Sequence, residues 1–440
     1  DSEYLTLIRR LAGSAEVRIA VTTLAIAMLA DGLGSPVVLP LCSYAALVPF
    51  EGILAVGVAG TLTRYLAFAA SVVMWADRLL FAKGRILKPP RAVWGWALFL
   101  ALAAASSLWA WSPDATFSHF FSISGLFLLY FSAAVYPFEQ KHLTWLKASI
   151  VVGGLLAAAF AVLLYAQGSV WAGSGSRATL TLGAGRGSDP NRFATSLLVP
   201  LLLSVEWLIL SKGWRRWLAV ASGGGILLGL LLTASRSGLA SAVVALLLFF
   251  WRLRDRVALR SAILIGAAIA VVACAAFAAA SDYLVARFSL EDILRWQGAG
   301  RFNIWRIGLA AFGHEPILGY GYENFPYAYD YFRPLVPTPR DMGPHRPAHN
   351  IYLQTFVELG VIGGLLLLAV LWQHWRLTRS LVHHGTLSAA TLEAMLVAVC
   401  VAGLMLGNLY WKDFWLALTY IVVVANVQRR AEGEVVWWRK

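Results

Sequence analysis

Ala348-His349-Asn350-Ile351-Tyr352-Leu353-Gln354-Thr355-Phe356-Val357-Glu358-Leu359-Gly360-Val361-Ile362-Gly363 is the stretch that decides how this chain is read. A polar loop rich in Pro and Arg ends here and a long apolar run begins, so His349 stands where water gives way to lipid. Unpaired backbone N–H groups at the start of the expected membrane helix make the local potential positive. That potential disfavours an imidazolium and predicts a neutral His349 able to accept a proton. Gly360 and Gly363, three residues apart, are expected to share one helix face and admit a neighbouring helix.

The rest of the chain supports a membrane setting. Of its 440 residues 59% are hydrophobic and 13% charged, against about 25% charged in a typical soluble domain. The apolar runs are long and lack a period of two, which predicts an all-α, polytopic membrane helix bundle. The formal net charge is +13. Because the cations fall mostly between apolar runs, the excess reads as an orientation signal and not as a nucleic-acid surface. Cys42, Cys274 and Cys400 all lie inside apolar runs without metal-ligand spacing, and no disulfide framework is indicated. No cleavable signal peptide is read, and Tyr4 to Arg18 reads as an amphipathic lead-in.

Basic clusters set the topology. Those at Arg9–Arg18, Arg78–Arg91, Lys141–Lys147, Lys212–Arg216, Arg252–Arg260, Arg376–Arg379 and Arg429–Lys440 are placed in the cytoplasm. Apolar runs follow at 92–111, 115–136, 146–167, 191–210, 216–233, 238–252, 261–281, 349–373, 388–408 and 413–427. Runs at 17–33 and 60–81 precede them, with a piece around 36–56 broken by Pro36, Pro40, Pro49 and Glu51. About twelve spans result, with both termini inside. The expected parts are a first bundle over 1–280, an outer loop with short helices over 281–348, and final membrane helices over 349–440. Within the loop, Leu290 to Trp296 and Arg301 to Phe312 read as amphipathic helices, the second with Trp305, Leu309 and Phe312 as its apolar stripe. A loop of this length in a compact bundle is usually functional.

Four short polar motifs then fall at one depth on the outer side: Asp189-Pro190-Asn191-Arg192, Ser235-Arg236-Ser237-Gly238, Arg301-Phe302-Asn303 and His349-Asn350. Charge at that depth is expensive without a partner or a task. Each motif alone has an ordinary reading. Arg192 and Arg236 can snorkel to headgroups, Arg301 can pair within its loop, and His349 can be an interfacial structural histidine. His345 reads as a loop residue, and the aromatic residues from Tyr320 to Phe332 as an interfacial belt. Together, arginines converging on a neutral histidine suit a phosphorylated lipid headgroup. Guanidinium grips phosphate oxygens, and a neighbouring base takes a proton from an attacking hydroxyl. No Asp-x-Asp motif occurs, so the expected chemistry uses no metal and no cofactor, with arginines where a divalent cation would act.

The arrangement resembles the O-antigen ligase and Wzy polymerase superfamily. His349-Asn350 with Gly360 and Gly363 is the most specific element. Asp189-Pro190-Asn191, Ser235-Arg236-Ser237-Gly238, and Arg301 through Pro316-Ile317-Leu318-Gly319-Tyr320-Gly321 look similar to other segments of the family, over roughly 185–365. The resemblance implies a metal-independent, inverting glycosyltransferase at the periplasmic face of the bacterial inner membrane. Its donor would be O-antigen polysaccharide on undecaprenyl pyrophosphate, and its acceptor the lipid A–core oligosaccharide. It implies catalytic roles for His349, Arg236 and Arg301. Arg192, mainly by position, is expected at the substrate with Asn191 and Asn350. The nearest rival functions are a Wzy-type polymerase and a protein O-oligosaccharyltransferase. A lipid transporter fits less well, because the ionisable residues gather at one surface and not at the midplane.

Overall fold

A computed structural model describes residues 37–55, 60–81, 86–168, 177–181, 188–255, 300–381, 386–407 and 409–433. The expected span at 17–33, the lead-in before it, the span at 261–281 with Cys274, and the helix at Leu290–Trp296 lie outside these residues. The described chain is helical, with no β-strand beyond an isolated bridge between Ala55 and Thr61.

Its α-helices are α1 (Leu39–Leu47), α2 (Leu62–Ala76), α3 (Arg91–Ala105), α4 (Pro113–Val135), α5 (Gln140–Ala166), α6 (Pro190–Ser196) and α7 (Leu198–Leu210). They continue with α8 (Trp214–Leu232), α9 (Arg236–Arg252), α10 (Arg301–His314), α11 (Phe325–Phe332), α12 (Ile351–Ser380), α13 (Thr386–Gly403) and α14 (Lys412–Ala431). Local chemistry fixes several starts. Ser112 caps α4 and Asp189 caps α6, each followed by Pro at the first helical position, where a missing N–H costs nothing. The broken stretch around 36–56 is α1 followed by a 3-10 turn over Val48–Ile53.

Six segments among the described residues are long and apolar enough to cross a membrane: Arg91–Leu108, Pro113–Val135, Gln140–Ala166, Pro190–Leu210, Trp214–Leu232 and Ile351–Ser380. The expectation of about twelve spans is therefore met by six here. The expected run at 238–252 belongs to a helix of 17 residues, and the run at 413–427 to one that also carries Lys412, Asp413, Arg429 and Arg430. α14 is a central post in which every residue from Asp413 to Val427 is buried. Trp415 packs between Trp96 and Tyr130, with ring centroids 4.8 and 5.8 Å away. Asn426 donates to the carbonyls of Ala133 and Ala134, both at 2.8 Å, and so satisfies the C-terminal end of α4.

Basic residues gather at one end of the bundle. Arg252 and Arg379 reach the buried Glu393 at 2.6 and 3.7 Å, tying α9 and α12 to α13. Arg429 and Arg430 bond the carbonyls of Lys88 and Pro137.

The opposite end carries the main departure from the expected fold. α12 is not one continuous rod. Gly360 breaks it with φ 65° and ψ −167°, a left-handed conformation that glycine adopts without Cβ strain. The break frees backbone groups, and the segment Pro316–Gly321 satisfies them. Val361 N–H donates to Pro316 O at 2.8 Å, while Tyr320 and Gly321 N–H donate to the carbonyls of Val357 and Glu358 at 3.1 and 2.8 Å. A Cβ at Gly360 would overlap the Ile317 carbonyl. Gly360 thus admits a loop backbone and not a neighbouring helix. Gly363 does not share its task, because a Cβ there would overlap Leu359 of its own chain. After the break, residues 361–380 remain helical, and twenty residues span about 30 Å, the thickness of a hydrocarbon core.

The outer segment is pinned further to the α3–α4 turn. Trp109 Nε1 donates to Leu318 O at 3.2 Å, and Ser112 N–H to Asn324 Oδ1 at 2.6 Å. The buried Glu358 accepts from Phe325 N–H at 3.2 Å and Gln354 Nε2 at 2.9 Å, which holds the start of α11. α11 falls in the Tyr- and Pro-rich stretch where no helix was expected. α10 forms as expected, but its buried face is Asn303, Ile304, Ile307, Gly308 and Ala311. Leu309, placed on the apolar stripe by spacing, faces outward.

Candidate active site

The site is built from helix starts. At the start of α6, Asp189 Oδ1 accepts from the N–H groups of Asn191 (2.8 Å) and Arg192 (3.2 Å). This cap sends three polar side chains in three directions. Asp189 acts electrostatically on His349. Asn191 Oδ1 accepts from Ser235 Oγ at 3.0 Å and from Arg177 Nη2 at 2.9 Å. The Arg192 guanidinium lies 5.3 Å over the Trp411 ring and 4.0 Å from Glu51 Oε1.

Asn191 thereby joins α6 to the α8–α9 turn. In that turn Ala234 takes a positive φ of 48°, and Ser235 caps α9 by accepting from Gly238 N–H at 3.2 Å. Gly238 allows the close approach, since a Cβ there would lie 2.7 Å from Ala194 Cβ of α6. Arg236 follows the cap as the first residue of α9 and is half-buried. Arg177 locks the arrangement from beneath. It is buried, and its Nε donates to Thr233 O at 2.7 Å. A cation is thereby set against the carbonyl end of α8.

α10 and α12 supply the other side. Gly300, at φ 80°, turns the chain into α10, whose first residue is Arg301. One turn on, Trp305 Nε1 donates to Ala348 O at 2.9 Å, which brings the start of α10 to the residue before His349. His349 itself adopts φ 50°. Asn350 caps α12, its Oδ1 accepting from Tyr352 and Leu353 N–H, both at 3.0 Å. The α13–α14 turn closes in at Gly407, where a Cβ would meet the backbone N of His349 and of Asn350 at 3.1 Å.

Burial is the main cause that pushes the His349 imidazole down to about 4; the Arg301 and Arg346 charges act in the same sense, and Asp189 opposes them. The ring is therefore neutral at neutral pH. The expected neutrality holds, with burial as its main cause.

The structure thus groups His349 with Arg301, and Asn191 with the Ser235–Arg236 turn, with the α6 start between them. Arg192 is directed elsewhere, into a small cleft lined by Glu51, Ser188, Ser196, Lys412 and Asp413. In that cleft Lys412 pairs with Glu51 and donates to Thr61 Oγ1 at 2.9 Å. The side-chain oxygen of Asn350 serves as a helix cap. Arg177 and Arg346 were not singled out from sequence, and Asp189 was picked out only as part of its motif. Arg177 had one usable signal, a cation in an outward Gly- and Ser-rich loop. A larger cavity, about 490 Å³, lies at the basic end between α5, α7, α13 and α14, beside Lys147 and Glu206, and none of the site residues lines it.

The family model described as O-antigen ligase matches residues 221–368. The match supports placing the chain in the O-antigen ligase and Wzy superfamily, whose members are membrane glycosyl-transfer enzymes. The matched segment contains Arg236, Arg301 and His349; Asn191 and Arg192 precede it. Together with the six apolar helices, it marks a multi-pass membrane protein. No curated protein matches the chain.

Proposed function

We propose that this protein is an O-antigen ligase of the bacterial inner membrane. In this reading it transfers O-antigen polysaccharide from undecaprenyl pyrophosphate to the lipid A–core oligosaccharide at the periplasmic face. One observation carries it. Two pairs of helix starts are joined, α6 to α9 through Asn191–Ser235 and α10 to α12 through Trp305–Ala348, the Asp189 charge at the α6 start acts on the neutral His349, and α9 and α10 each place an arginine at the first helical position. A cation there opposes the helix dipole. A multiply charged anion reverses that cost, since the arginines then face negative charge.

In the proposed reaction the diphosphate rests against Arg301 and Arg236. The acceptor hydroxyl oxygen attacks the anomeric carbon as the bond from that carbon to the diphosphate oxygen breaks. The electron pair leaves with undecaprenyl pyrophosphate, whose new charge the arginines stabilise. The hydroxyl proton passes to a ring nitrogen of His349. Asn191 and Arg177 hold the Arg236 turn in place, and the Arg192–Glu51–Lys412 cluster borders the donor.

The test is His349→Ala in cells and in purified form. The variant is expected to insert and fold normally, to yield lipid A–core without O-antigen on gels, and to leave lipid-linked O-antigen accumulated. Normal ligation would remove His349 from the mechanism. A loss that leaves core bearing a single repeat unit would favour a polymerase, and a loss confined to glycoproteins a protein oligosaccharyltransferase.

A further inference from the structure

The outer loop has two unlike edges. Residues 337–346 present Arg340, Asp341, His345 and Arg346 to water. The other edge is apolar. α11 buries Phe325, Ala328, Tyr329 and Phe332 and turns Tyr331 outward, with Leu335 one turn beyond. Tyr331 meets Trp111 of the α3–α4 turn with ring centroids 5.4 Å apart. Beside them lie Ile317 and Leu318, on the segment held in the Gly360 break. These five side chains are between 44% (Leu318) and 63% (Ile317) exposed. Large apolar side chains grouped at a surface mark a contact with something other than water.

Continuity identifies the partner. Ile317 packs at Gly360, directly before Val361 and Ile362, which are themselves exposed on the spanning half of α12. On the other flank the patch runs through Leu108 to Phe117 and Phe121, exposed on the spanning α4. Exposed apolar side chains thus flank the patch on two segments long and apolar enough to cross a membrane. Its Trp and Tyr content suits the boundary between headgroups and acyl chains.

We propose that the Ile317–Leu335 edge of the outer loop is embedded in the outer leaflet of the bilayer, with Tyr331 and Leu335 below the phosphate level. The loop then rests on the membrane through this edge. The inference stands on the membrane setting alone and does not depend on the transfer reaction proposed above.

Site-directed spin labelling tests it. Nitroxides are placed at Tyr331→Cys, Leu335→Cys and, as the water-facing control, Pro339→Cys. The background is the full chain with Cys42, Cys274 and Cys400 replaced by Ala, reconstituted in phosphatidylethanolamine–phosphatidylglycerol vesicles. Labels at 331 and 335 are expected to collide mainly with oxygen, and the label at 339 mainly with an aqueous nickel complex. Nickel accessibility at 331 and 335 equal to that at 339 would overturn the proposal. Dipolar broadening between labels at 331 in sparsely loaded vesicles would also overturn it, by showing a second copy on the patch. Repeating the measurement in a His349→Ala background separates the two readings, because the collision pattern is expected to persist there.

Discussion

Arg177 illustrates how one buried side chain can set the geometry of a site it does not enter. Its guanidinium bridges Thr233 O and Asn191 Oδ1 at 2.7 and 2.9 Å, and so couples the α8 end to the α6 start. Arg177→Ala leaves those acceptors without this donor, a loss of about 1–3 kcal/mol for each one left unpaired. The expected result is a lower melting temperature in detergent, together with reduced transfer. Arg177→Lys keeps the charge but lacks the planar fork, so it should recover stability more than activity. Equal recovery of both would make Arg177 structural only. His349 carries the second prediction at this scale. In the free protein its ring protonates near 4, so kcat/KM should stay level through neutral pH and fall only as acid converts the base to imidazolium. A bound diphosphate offsets Arg301 and favours the imidazolium, so the acid limb of kcat should lie at higher pH. A kcat limb at or below that of kcat/KM would count against His349 as the base. Arg236, Arg301 and His349 were legible as candidates because a charge or an imidazole at the edge of an apolar run is costly to keep there unless it meets a partner or a ligand. Arg177 was not, because its loop has no periodicity to say which side chains turn inward.

Among the elements, the helix starts were legible and the helix break was not. Asp189-Pro190 and Ser235 announce themselves by capping chemistry, whereas Gly360 has no proline and no capping side chain beside it to mark a break. The unfilled hydrogen bonds that reveal the break belong to Pro316–Gly321, some forty residues away in the chain. The same distance effect misplaced the buried face of α10, since spacing found a stripe but not the partner that selects which stripe is buried. Gly360→Ala forces a side chain into a left-handed backbone and against the Ile317 carbonyl. Strain and overpacking together predict a loss of more than about 2 kcal/mol, measured as a lower thermal midpoint. Gly313 in α10 has no atom within 4 Å of an added Cβ, so Gly313→Ala should be neutral or gain up to about 1 kcal/mol. Similar losses for both would show that neither local space nor backbone sign governs these positions.

For the molecule as a whole, composition established the membrane setting, and the basic clusters foresaw the end where Arg252, Arg379, Arg429 and Arg430 now gather. The number of spans was harder to read. α14 shows why, because hydropathy scores a helix buried among other helices much as it scores one that faces lipid. The convergence of helix starts has a consequence for turnover. Under the proposed reaction the departing carrier keeps both phosphates, so the attraction that draws the fuel in also retains the ash. Chemistry should then outpace clearance, and the first cycle should be faster than those that follow. Rapid mixing should show a burst approaching about one product per enzyme molecule, then a slower steady phase. Added undecaprenyl pyrophosphate should compete with donor, more weakly as salt rises. A linear time course from the first turnover would place the slow step before the carrier departs.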